Sequence, residues 1–229
     1  DKFIDYPPQY HLAWLPKSDA TPTPSPQTGA TITGLVTDSM NNPMPYLRVR
    51  AAYQEKGNWK KYETATDQYG RYSLTLPEID LSSPVRIDMY FTMEYVRDGT
   101  HYYTVIDRSD QNNEGGLKLE FEADGPEDLV QNVKFDFGPE GPFWIVRDGV
   151  KYWGFSTLEK QKNFAAIYQH LHNTVDFYID TLGVTLDHQL PVEVFTLSPE
   201  WSWYSPQASQ IIIYTGHTPI ASPTRAFVE

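Results

Sequence analysis

ITGLVTDSMNNPMPYLRVRAAY (residues 32–53) and, shortly after it, TATDQYGRYSLTLP (64–77) alternate strand-forming runs with turn chemistry. TITGLVTD reads as a strand, SMNNPMP as a turn, YLRVRAAY as a second strand, and EKGN as the turn into WKKYETAT. In DQYG, Asp67 can accept backbone hydrogen bonds and Gly70 can take a positive φ, so that Tyr72 opens the next strand facing a core. Further on, Val85, Ile87, Met89, Phe91, Met93 and Tyr95 alternate along one strand, and Asp98-Gly99 supplies a two-residue type I′ turn before HYYTVID. Short strands punctuated by turns in this way predict a β-sandwich over residues 31–137.

Outward from this core the character changes on both sides. PFWIVRDGVKYWGF (142–155) predicts a hairpin about Asp148-Gly149, after which Ser156 or Thr157 can cap a helix running to about Leu182. Phe164, Ile167, Leu171, Val175, Tyr178 and Leu182 recur at steps of three and four, and Gly183 stands where a C-cap belongs. PVEVF (191–195) and QIIIYTG (210–216) read as strands, and Ser222-Pro223 has the signature of a further helix start. Residues 138–229 therefore form an α/β segment with one long amphipathic helix. On the N-terminal side, residues 18–30 are a Ser/Thr/Pro linker whose Thr21, Thr23, Ser25 and Thr28 are candidates for O-linked sugar. Residues 1–17 precede it as an extended arm, with Tyr10, Leu12 and Trp14 on one face of a strand that has no nearby partner.

With 229 residues, 40% hydrophobic and 14% aromatic, the chain can support two cores and is not of disordered composition. Its net charge of -12 repels phosphate backbones and anionic lipid, so nucleic acid is not an expected partner. The absence of cysteine excludes disulfides, thiolate nucleophiles and cysteine-ligated metal. No apolar run has the length of a membrane span; a start at Asp1 agrees with a removed leader, and so with a secreted or cell-surface location, and equally with a trimmed chain.

The runs at 32–53 and 64–77 resemble the carboxypeptidase-regulatory-like and collagen-adhesin B-type modules, which open on a glycine-containing strand and carry an Asp-x-x-Gly-x-Tyr turn, here Asp67, Gly70 and Tyr72. The resemblance implies a seven-stranded, immunoglobulin-like antiparallel sandwich used as a spacer or adhesive module, without catalysis. Some relatives carry a Lys-to-Asn isopeptide bond, but the first strand here has no lysine and none is assigned. A second resemblance covers residues 160–229: Leu182-Gly183, Val192 to Phe195, Tyr204 and Ile211 to Tyr214 follow the order of elements at the start of a gluzincin zinc metallopeptidase domain. That family continues into a helix bearing His-Glu-x-x-His, whose histidines hold zinc while the glutamate polarises a bound water. The motif does not occur among these 229 residues, so the chain as it stands is expected to hold no cofactor or zinc and to hydrolyse no peptide.

Other candidate sites are sparse. His170 and His172 are two positions apart on the predicted helix and point to different faces. Asp107, Asp110, Asn112 and Glu114 could encircle calcium, although their spacing is not that of an EF-hand and a solvated hairpin loop is the favoured reading. Trp201, Trp203 and Tyr204 could offer a carbohydrate platform or cap a small core. The expectation is an extracellular structural or adhesive protein that associates with copies of itself or with surface components. The alternatives are the N-terminal portion of a secreted metallopeptidase and a carbohydrate-binding module.

Overall fold

The computed structural model describes residues 28–107, 116–125, 129–136, 144–147, 149–153, 158–184, 189–194, 203–205 and 210–213. Among the described residues strand and turn alternate as expected, and the strands form two mixed sheets with one α-helix. The smaller sheet has β1 (Thr28–Asp38) between β4 (Arg71–Asp80) and the short strands β8 (Leu129–Val130) and β9 (Val133–Phe135). β4 is antiparallel to β1, whereas β8 and β9 are parallel to it. The larger sheet contains β2 (Leu47–Glu55), β3 (Asn58–Ala65), β5 (Val85–Arg97), β6 (Thr100–Asp107), β7 (Gly116–Ala123), β10 (Trp144–Arg147) and β11 (Val150–Trp153). This β-sandwich is the framework on which the helix sits.

The turn at Asp67 shows how local chemistry sets the register. The Asp67 carboxylate accepts the backbone N–H of Tyr69 at 2.8 Å and of Arg71 at 2.9 Å. Gly70 has φ +73°, and a Cβ there would lie 2.6 Å from the Val36 carbonyl oxygen, so both conformation and space require glycine. Tyr72 then turns inward: it is buried, its ring meets Phe91 edge-on at 5.6 Å, and its hydroxyl donates to the Gln131 carbonyl at 2.7 Å. Tyr72→Phe leaves that carbonyl without its donor and should cost about 0.5–1.5 kcal/mol, read as a lower urea midpoint with unchanged slope. The Asp98-Gly99 turn has φ 51° and 76°, joining Arg97 to its partner Thr100 as the type I′ geometry demands.

On β5 the predicted alternation holds from Ile87 onward: Ile87, Met89, Phe91, Met93 and Tyr95 are fully buried, while Val85, at the start of the strand, is only partly buried against the core. The intervening Asp88, Thr92 and Glu94 are buried as well. Their cover is long polar side chains: Asp88 lies 2.8 Å from Arg86 Nε and 3.0 Å from Lys118 Nζ.

The larger sheet continues across residue 137. β12 (Leu190–Val194) pairs in parallel with β6 from Leu190↔Tyr103 to Val194↔Asp107. β14 (Gln210–Ile213) follows in parallel, and β13 (Trp203–Ser205) is antiparallel to β14 at the edge. Between β11 and β12 runs α1 (Leu158–Asp176), whose Phe164, Ile167, Tyr168 and Leu171 enter the same core as Met44, Tyr95 and Tyr103. The predicted apolar stripe holds as far as Val175 and then fails, because Tyr178 and Leu182 are about half exposed (46% and 54%). A π-helical turn at Phe177–Thr181, closed by Leu182 N–H to the Phe177 carbonyl, rotates the last residues away from the core. Gly183, at φ +66°, then ends the helix, with Val184 N–H bonded to the Tyr178 carbonyl.

Candidate functional site

The densest polar constellation among the described residues lies where α1 meets the sandwich. His172, Asp176 and Asp180 stand at steps of four, the last on the π-helical turn. Opposite them are Tyr95 and Arg97 from β5 and Tyr46 from the turn before β2. The Tyr95 hydroxyl donates to Asp176. Arg97 donates to Asp176 at 3.0 Å and grips both oxygens of Asp180 at 3.0 and 2.9 Å, while its guanidinium lies 5.4 Å from the Tyr46 ring centroid. The Arg97 pairing holds the Asp180 carboxyl below its ordinary range. Two further bonds tie the helix down: Tyr103 hydroxyl to the Tyr168 carbonyl at 2.9 Å, and Tyr168 hydroxyl to the Pro45 carbonyl at 2.7 Å.

His172 sits against Tyr46 and Tyr95, with its Nε2 2.8 Å from Asp176 Oδ2 but off the line that a good hydrogen bond needs. Burial lowers its pKa below 6.5, an effect only partly offset by Asp176. The imidazole is thus neutral in the fold at pH 7, whereas an unfolded histidine binds a proton near 6.5. The stability it contributes is present above that value and is lost as pH falls through it. The urea midpoint should therefore drop between pH 7.5 and 5.5, and His172→Phe should flatten that drop. An identical pH slope in the variant would refute this assignment.

A second cluster occupies the outer face of the larger sheet. Glu94, buried, accepts from Arg48 at 2.6 Å and from Gln189 at 3.1 Å, and its Oε1 lies 2.5 Å from His101 Nδ1. Burial alone would raise its pKa, but the bonds from Arg48 and His101 outweigh that and hold it below the usual carboxylate value. Beside it is a hollow of about 240 Å³ lined by Arg48, Arg50, Thr92, Thr104 and Ile106. It opens where β5 exchanges one neighbour for another, pairing with β7 up to Thr92↔Gly116 and with β6 from Glu94↔Thr104. Glu94 is ionised and saturated with donors, which suits holding strands together and not abstracting a proton. A wider groove of about 450 Å³ separates α1 from the 38–45 turn, with Asn42, Gln68, Lys162, His170 and Asn173 on its walls.

The sequence-predicted sites fare unevenly. Asp107 is the last residue of β6, while Asp110, Asn112 and Glu114 lie outside the described residues. Trp203 and Tyr204 lie on β13, paired with Ile212 and Ile211 through the backbone, and Trp201 lies outside the described residues. Thr28 begins β1, while Tyr10, Leu12, Trp14, Thr21, Thr23 and Ser25 lie outside. Sequence reasoning missed Arg97, Asp176 and Asp180. The available signal was the His172, Asp176, Asp180 spacing, a polar stripe beside the apolar one.

No protein-family model and no curated protein matches this chain. Among solved structures, a 9R-lipoxygenase from Cyanothece PCC8801 is similar at 12% identity and a TM-score of 0.24, covering 67% of this chain. The match spans only 25% of the lipoxygenase chain. Among the described residues no helix is long and apolar enough to cross a membrane.

Proposed function

We propose that the segment from α1 to β14 is scaffold of a gluzincin-type zinc metallopeptidase domain, and that the immunoglobulin-like sandwich is the fixed wall on which that scaffold is built. The observation that carries this reading is the order and sense of the elements: a helix ended by Leu182-Gly183, two parallel strands, and an antiparallel strand at the sheet edge. The described residues do not themselves form the zinc centre, since no three of their His, Asp or Glu side chains converge as metal ligands. The metal ligands of such a domain must come from elsewhere in the protein. The test is the complete product of the encoding gene. A His-Glu-x-x-His helix after β14, one zinc per molecule and peptide cleavage abolished by chelation are the expected results. A complete product that holds no zinc overturns the reading.

A surface structural or adhesive role is the second reading. Among the described residues β4 pairs only with β1, leaving a strand edge to which the Tyr10, Leu12 and Trp14 arm of a neighbouring copy could add. Deleting residues 1–17 and comparing particle size by sedimentation decides this. A smaller particle supports it, and an unchanged one refutes it.

A further inference from the structure

We infer that the sandwich is the folding template of the α/β unit: among the described residues β12, β13 and β14 join a sheet only by extending β6, so the module cannot be removed as an accessory. The described strands of the unit are short, and β12 is held between β6 on one side and β14 on the other, both parallel. Parallel pairing is slightly weaker per residue than antiparallel and is found in sheets covered on both faces, so a short parallel ribbon without a companion surface has little stability of its own. Part of that surface here belongs to the sandwich: Val192 and Val194 are fully buried in one continuous core with Tyr103 and Val105 of β6 as well as Phe164 and Tyr168 of α1. The polar ties run the same way at both ends of the described span between α1 and β12. Arg97 clamps Asp176 and Asp180 as the helix ends, and Gln189 donates to Glu94 and Thr104 as β12 begins.

The order of assembly follows from chain separation. β5 and β6 are joined by a two-residue turn, whereas Gln189 and Thr104 meet across 85 positions. Local contacts form before those that must close long loops, so β6 is in place when β12 arrives. A site built on β12 to β14 then inherits its geometry from a strand of the sandwich. This holds whether or not the peptidase reading does, because it depends only on α1, β5, β6 and β12 to β14.

Native-state hydrogen exchange on the whole chain, followed through increasing denaturant, tests the inference. Backbone amides of β12 and β14 should exchange at the same denaturant concentration as those of β5 and β6, or at a lower one. A remote lesion sharpens the test: Leu74→Ala lies in β4, away from the α1 seam, and should lower the denaturant concentration at which β5 and β6 exchange, with β12 and β14 exchanging no later than they do. Amides of β12 and β14 that stay protected after β5 and β6 have exchanged, in the parent or in the Leu74→Ala protein, overturn the proposal.

Discussion

Gly34→Ala is expected to destabilise the protein by about 3 kcal/mol, the sum of an overpacking term of about 1–3 kcal/mol and a lost hydrogen bond of about 1 kcal/mol. A Cβ at Gly34 would lie 2.1 Å from the Gln131 carbonyl oxygen and 2.8 Å from the Tyr72 ring. Neither neighbour can yield cheaply. Gln131 is fixed by its N–H to the Thr33 carbonyl at 2.9 Å and by the Tyr72 hydroxyl, and Tyr72 is paired across the sheet with Gly34 itself. The aromatic ring lies over a strand position that has no side chain, an arrangement that only glycine permits. The backbone at Gly34 is not left-handed, so no strain of backbone conformation adds to these two terms. The measurement is the urea midpoint, and a loss below about 1 kcal/mol would show that β8 and β9 move aside freely.

Phe164→Ala should have an effect of similar or larger size, about 3–5 kcal/mol. The side chain is fully buried and is among the largest so placed on α1. Its removal leaves a void between the helix and the sandwich, and the polar ties at Arg97 and Tyr168 restrict how far the helix can settle to fill it. Denaturant unfolding followed by far-ultraviolet circular dichroism reads the loss. A variant within about 1 kcal/mol of the parent would mean that α1 is held by its hydrogen bonds and not by packing.

The sandwich was legible because its signals are local. The Asp67 turn, the Asp98-Gly99 turn and the alternation from Ile87 to Tyr95 each depend on residues close together in the chain, and each has the expected geometry. The parallel join between β6 and β12 was not legible, since an apolar run such as PVEVF does not name its partner. The outward positions of β5 misled for a different reason: Asp88, Thr92 and Glu94 carry the polarity of a solvated face, yet basic side chains from β2, β5 and β7 fold over them. The same limit applies to α1, where a stripe extrapolated at 3.6 residues per turn cannot foresee a π-helical turn. The self-assembly arm, the calcium candidates Asp110, Asn112 and Glu114, and Trp201 of the carbohydrate candidates lie outside the described residues.

β5 serves two partners in series along one edge, β7 as far as Thr92 and β6 from Glu94 onward. Each partner is registered on β5 by its own ladder, β7 from Val85↔Ala123 to Thr92↔Gly116 and β6 from Glu94↔Thr104 to Arg97↔Thr100. One residue added between Thr92 and Glu94 would slide β6, and with it β12 and β14, past a stationary β7. Length variation among natural versions of this protein should therefore be excluded from 92–94.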